Sequence, residues 1–160
     1  MCIRDSLNNL YDDNPMDVDA NILIQLENGA NGTIRSSQIA TGEENNLRIS
    51  IYGDKGGLKW EQENPNYLYH LSDNEPMRVL KTAHPYNYDI ANISTKIPPG
   101  HPEGIFDSMG NIYNGVARAI KKQKFDSVEF PSIDEGVRGM DFIEKAVKSH
   151  QSGNIWMNLD

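Results

Sequence analysis

Between residues 18 and 81 the chain reads as short alternating segments cut apart by glycine and asparagine, a pattern that commits it to antiparallel strands. Val18, Ala20, Ile22, Ile24 and Leu26 recur at every second position, the period of a strand with one buried face. Asn28-Gly29 and Asn31-Gly32 follow; both residue types tolerate positive φ, so the chain is expected to turn back through residues 33–39 as a hairpin. Residues 47–52 alternate again, the GDKGG run at 53–57 turns, and residues 58–62 return as a second hairpin. Asn64-Pro65-Asn66 ends it, and residues 67–71 and 77–81 give two further strands.

Beyond residue 81 the period changes. Residues 82–100, with Pro85, Pro98 and Pro99, form a connector of a length usually associated with functional or mobile loops. Ile105, Met109, Ile112, Val116 and Ile120 then follow the spacing of one helix face. Pro102 suits the first helical turn, where a missing N–H is harmless. Residues 125–131 bridge to a second helix begun by Ser132, with Glu135 three positions on as a capping box. Val137, Met140, Ile143 and Val147 are expected to line its buried side, Gly153 to end it, and residues 155–159 to add a closing strand. The fold class is therefore α+β, an open, predominantly antiparallel β-sheet with helices packed on one face. There is no βαβ alternation and no internal repeat.

At 160 residues the chain is the size of one domain, large enough to bury roughly 70% of its unfolded surface. Its net charge of -8 argues against a nucleic-acid or anionic-membrane partner. No apolar run reaches the ~18 residues of a membrane span, and no secretory h-region opens the chain, which gives a cytoplasmic expectation. The single cysteine, Cys2, has no disulfide partner, and His70, His84 and His150 show no metal-ligand spacing. Residues 1–6 (MCIRDS) lack periodicity and read as non-native sequence. Residues 1–16 are accordingly taken as a non-native or truncated leader, and residues 17–160 as the domain.

Three segments, SSQIATGEENNLRISIYGDKGGLKW at 36–60, IPPGHPEGIFDSMGNIYNGVARAI at 97–120 and FPSIDEGVRGMDFIEKAVKSH at 130–150, resemble the C-terminal half of the Gfo/Idh/MocA oxidoreductases. The resemblance runs over about residues 17–159. It implies a two-domain parent that uses NAD or NADP to oxidise or reduce sugars and polyols, with an N-terminal dinucleotide domain that this chain lacks. The motifs that implication requires are missing here: there is no G-x-G-x-x-G turn to bring a pyrophosphate against a helix N-terminus, no Glu-Lys-Pro and no Asp-x-x-x-His. The expectation is that the fragment binds no cofactor, holds no catalytic residue and is inactive alone. Residues 53–57 are the densest glycine cluster, but flanking strands make them a hairpin turn.

What remains is a set of substrate-binding candidates. His101 sits between Gly100 and Pro102, outside regular structure, and a neutral imidazole both donates and accepts hydrogen bonds, as a polyol requires. It equally serves to tie its own loop together. Glu103 is either a substrate ligand or a carboxylate stabilising the start of the helix. Gln38 and Asn46 lie in a stretch resembling the family's SQxAxGxxNxL pattern, which implies a place near the cleft; Asn46 also suits the start of a strand. Trp60, Trp156, Tyr52, Tyr67 and Tyr69 are read as core or interface residues in preference to sugar-stacking platforms. The resulting expectation is a substrate-binding and oligomerisation domain, pairing with another copy through its sheet face. A non-enzymatic association module and a free-standing carbohydrate-binding domain are the alternatives.

Overall fold

The computed structural model describes residues 1–9, 13, 15–123 and 130–159; of the expected bridge at 125–131, residues 125–129 lie outside them. Eight strands and three helices follow in order: β1 (Cys2–Asn8), β2 (Asp19–Gln25), β3 (Asn31–Ser37), β4 (Arg48–Gly53), β5 (Gly56–Glu61), β6 (Tyr67–Ser72), β7 (Glu75–Lys81), α1 (Asp89–Ser94), α2 (Ile105–Ile120), α3 (Ile133–Gln151) and β8 (Met157–Asn158). The α+β class and the antiparallel pairing are as expected. The strands are shared between two four-stranded sheets, each in its own compact unit.

The first unit comprises Met1–Gly42 and Pro131–Asp160, with strand order β3-β2-β1-β8. Val18, Ala20 and Ile22 are buried, so the alternation in β2 does its expected work, and Ile22 clusters with Ile3 and Ala146. Strand β1 is a finding. Residues 2–8, assigned at first to a leader, run antiparallel to β2 with Ile3 opposite Ile24 and Leu7 opposite Ala20. The inward-facing sequence of this strand is Ile3, Asp5, Leu7, and the carboxylate in the middle disguises its period. Asp5 is 1% exposed, and neither carboxylate oxygen has a hydrogen-bond partner among the described residues. Burial pushes its carboxyl above the ordinary range, while the Ser6 amide and His150 pull it down by less.

Helix α3 packs on β1. Ser132 caps it as anticipated: its hydroxyl accepts from the Glu135 amide at 3.2 Å and its own amide donates to the Glu135 carboxylate at 2.6 Å. The Ser132 amide thereby holds the Glu135 carboxyl below its ordinary range. Gly153, at φ +86°, ends the helix as expected. The buried face is not the expected one, however. Ala146 and Ser149 are buried and Phe142 packs against the core, whereas Val137, Met140 and Ile143 are exposed. Small residues let α3 approach its sheet closely, and the bulky stripe is turned aside. The Ser149 hydroxyl cements the contact, accepting from the Asp5 amide at 3.0 Å and donating to the Ile155 carbonyl at 2.6 Å.

The second unit, Glu43–Phe130, carries the meander β4-β5-β6-β7 with α1 and α2. The β4–β5 turn needs glycine for a steric reason. Gly56 has φ +143°, and a Cβ there would stand 2.2 Å from the Leu71 carbonyl oxygen on β6. Register places Ile49, Trp60 and Leu68 side by side across β4, β5 and β6, with Leu80 next on β7, so these four share one face. Short α1, within the connector, was not anticipated; six residues are too few to show a helical period. In α2 the expected apolar face is largely exposed at Ile105, Met109, Ile112 and Ile120, and only Gly115 is buried. Pro102 precedes the helix rather than joining its first turn, because Gly104 is the N-cap.

Candidate functional site

The loop GHPEG at residues 100–104 leads into α2 and is anchored by its own polar atoms. The Glu103 carboxylate turns back and accepts from the amides of Lys96 at 2.5 Å and Ile97 at 3.0 Å. Those are backbone donors of a non-repetitive segment with no ladder to satisfy them. Asn66, at the β5–β6 turn, grips the backbone of the same residue: its Oδ1 accepts from the Glu103 N–H at 2.9 Å and its Nδ2 donates to the Glu103 carbonyl at 2.9 Å. Thr82 adds a 3.3 Å bond to Asn66 Oδ1. Asp107 completes the junction by accepting from the Gly104 amide at 2.8 Å.

His101 is exposed. Its Nδ1 lies 3.2 Å from the Pro98 carbonyl, and its amide donates to the same oxygen at 3.2 Å. A carbonyl only accepts, so the side-chain bond puts the proton on Nδ1 and leaves Nε2 as an acceptor. The ring thus ties its loop, as one reading of the sequence anticipates, and still presents one nitrogen outward.

The other candidates are dispersed. Asn46 precedes β4 in the second unit, at φ +34°, with its side-chain amide donating to Glu43 and its backbone N–H to the Glu63 carboxylate at 3.3 Å. Gln38 belongs to the first unit, where its amide donates to the Val18 carbonyl at 2.8 Å. His101 and Glu103 share the loop; Asn46 and Gln38 each extend a strand or its turn.

A cavity of about 350 Å³ opens beside the loop within the second unit. Trp60, Leu68 and Leu80, which share one sheet face, form its apolar wall, and Asn87, Asp107 and Asn111 are among its polar lining. The register that sets Trp60, Leu68 and Leu80 side by side on β5, β6 and β7 places Trp60 beside the same cavity as Glu103. Asn66 escaped the sequence reading because an asparagine after proline signals only a turn; its partner lies 37 residues away. Among the described residues no three His, Cys, Asp or Glu side chains gather as a metal site, and no helix is long and apolar enough to cross a membrane.

The glycine cluster is not a dinucleotide turn. Glycines 53, 56 and 57 belong to a strand–turn–strand hairpin in which the Leu71 carbonyl, and not a phosphate, takes the room that a Cβ would occupy.

Residues 4–159 match the family described as "Oxidoreductase family, C-terminal alpha/beta domain" of the Gfo/Idh/MocA group. The chain is 33% identical over 151 residues to the uncharacterized oxidoreductase YfiI of Bacillus subtilis, covering 91% of this chain and 38% of that protein. An oxidoreductase structure from Sinorhizobium meliloti superposes with a TM-score of 0.93 at 36% identity, over 99% of this chain and 46% of that one. The structure of an inositol dehydrogenase homolog from Azotobacter vinelandii, complexed with NADH and myo-inositol, gives a TM-score of 0.82 at 25% identity, over 98% of this chain and 43% of that one. The chain thus spans less than half the length of these relatives. The continuous match over residues 4–159 places it in the Gfo/Idh/MocA oxidoreductase family, as that family's C-terminal α/β domain.

Proposed function

We propose that this chain supplies the substrate-side half of an NAD(P)-dependent dehydrogenase acting on a sugar or polyol, and that His101 contacts a substrate hydroxyl. The observation that carries the reading is the family match together with a relative crystallised with NADH and myo-inositol. In the full-length protein the dinucleotide supplies the hydride chemistry; the residues here bind and orient. His101 Nε2 accepts a hydrogen bond from a substrate hydroxyl, with the Pro98 carbonyl fixing the ring from behind. Glu103 holds the loop through Oε1, which accepts from the Lys96 and Ile97 amides, and its other oxygen remains for a substrate hydroxyl. Exposed apolar side chains on one face of the second sheet, Tyr52, Tyr67 and Val79 among them, support pairing with another subunit.

The test is made on the full-length gene product. His101→Ala should lower kcat/KM for polyol oxidation by about tenfold to a hundredfold, as expected for a lost substrate contact, with His101→Gln retaining more activity. Unchanged kcat/KM in His101→Ala removes the role for His101. An intact full-length protein that reduces neither NAD nor NADP with any polyol removes the class.

A further inference from the structure

We infer, on the reading of His101 as a substrate contact, that Asn66 is a positioning residue for it and fixes where the imidazole stands relative to the second sheet. His101 closes a four-residue turn. Its amide donates to the Pro98 carbonyl at 3.2 Å, Pro99 and Gly100 occupy the middle positions, and Gly100 has φ +88°. That is the arrangement of a type II turn, whose third position calls for glycine. The Nδ1 bond to the same carbonyl ties the ring to the turn, so the imidazole goes where the turn goes.

The flanks of the turn meet each other. The Lys96 and Ile97 amides ahead of it both donate to Oε1 of Glu103 behind it, so residues 96–103 close on themselves with His101 on their turn. Asn66 then fastens this closed loop to the sheet. Its Oδ1 accepts from the Glu103 N–H and its Nδ2 donates to the Glu103 carbonyl, each at 2.9 Å. A planar amide bonded through both of its ends to one residue fixes that residue's orientation as well as its distance.

Asn66 is itself held from the sheet side. Its carbonyl accepts from the Thr82 amide at 3.2 Å, just beyond β7, and the Thr82 hydroxyl reaches its Oδ1 at 3.3 Å. The Trp60 Nε1–H, from β5, bonds the preceding Pro65 carbonyl at 3.0 Å. The position of the sheet is thus passed through Asn66 and Glu103 to the Pro98–His101 turn, all within the second unit. Removing the Asn66 amide frees the loop from the sheet and leaves the bonds inside the loop in place. Misplacing a substrate-orienting group by about 1 Å costs up to about a hundredfold in rate.

The test is a double-mutant cycle of Asn66→Ala and His101→Ala in the full-length gene product, with myo-inositol and D-glucose as substrates. Asn66→Ala should lower kcat/KM for the polyol about tenfold and leave KM for the dinucleotide unchanged. Asn66→Asp, which keeps the acceptor for the Glu103 N–H, should recover part of the loss. In the His101→Ala background Asn66→Ala should cost nothing further, because residues that act as one unit are not additive. Asn66→Asp takes its place in the cycle if Asn66→Ala fails to fold by circular dichroism. Losses that multiply in the double variant overturn the inference, since Asn66 then acts by a route other than His101. A rise in the dinucleotide KM in step with the loss overturns it as a general loosening of the protein. Wild-type kcat/KM in Asn66→Ala beside a loss in His101→Ala overturns it too and leaves His101 its role. Unchanged kcat/KM in His101→Ala overturns the reading of His101 itself, so the two failures are told apart.

Discussion

Asn66 and Glu103 pair side chain to backbone as two strand residues pair backbone to backbone, one amide group satisfying both the N–H and the C=O of a residue 37 positions away. The loop ahead of α2 is thereby stitched to the β5–β6 turn. Asn66→Ala removes both bonds and should destabilise the second unit by about 1–2 kcal/mol. Amide exchange at Glu103, and at Lys96 and Ile97 behind it, should accelerate. Asn66→Asp keeps the acceptor but loses the donor to the Glu103 carbonyl, and should fall between. Hydrogen exchange read residue by residue checks this; unchanged protection at Glu103 would rule the stitch out as a restraint.

The buried carboxyl of Asp5 sets a pH dependence of known sign. Its folded-state pKa is raised above 3.8 by burial, so the folded state holds the proton more tightly than the unfolded state. The associated stability is fully present below pH 3.8 and is lost as pH rises through the folded-state value. Asp5→Asn should abolish this component, and Asp5→Val, which restores an apolar inward position in β1, should stabilise the first unit at neutral pH. The check is the difference in denaturation midpoint between wild type and Asp5→Asn across that range. A difference that grows with falling pH in favour of the variant contradicts the assignment.

Gly56 and Gly29 separate steric need from conformational preference. Both have positive φ, yet a Cβ at Gly29 meets nothing within 4 Å while one at Gly56 meets the Leu71 carbonyl. Gly29→Ala should cost about 1 kcal/mol from its backbone alone. Gly56→Ala must also push β5 away from β6, and should lose several times as much. Urea denaturation of the two variants distinguishes the cases, and equal losses would refute the close approach.

Helix α3 offers a direct test of which face is buried. Val137→Gln changes a residue 62% exposed and should alter stability by less than about 0.5 kcal/mol. Ala146→Gln, at a position 5% exposed in the core with Ile3 and Ile22, should cost more than about 2 kcal/mol through overpacking and a buried amide. The reverse ranking would restore the face read from the sequence.

That helix shows where sequence periodicity stops being informative. Val137, Met140 and Ile143 do form one stripe at helical spacing, but a stripe states only that a face is apolar and not what it meets. Ala146 and Ser149 carry little hydrophobic signal, yet small side chains are what allow a helix to lie against β1. The same limit hid β1, where Asp5 interrupts the alternation, and α1, where six residues hold less than two turns. By contrast Ser132 with Glu135, Gly153 and the alternation through Ile22 act locally, and all were legible.

The sequence by itself determined the strands after β1, the capped helix, the family and the loop at His101, because turn chemistry, period and capping are written within a few residues of one another. Only the tertiary structure decided that the strands divide into two sheets, that Asp5 is buried, that Asn66 holds Glu103 and that Trp60 and Leu80 line one cavity. Those relationships join residues far apart in the chain, and strand register with close packing, rather than any local preference, sets them.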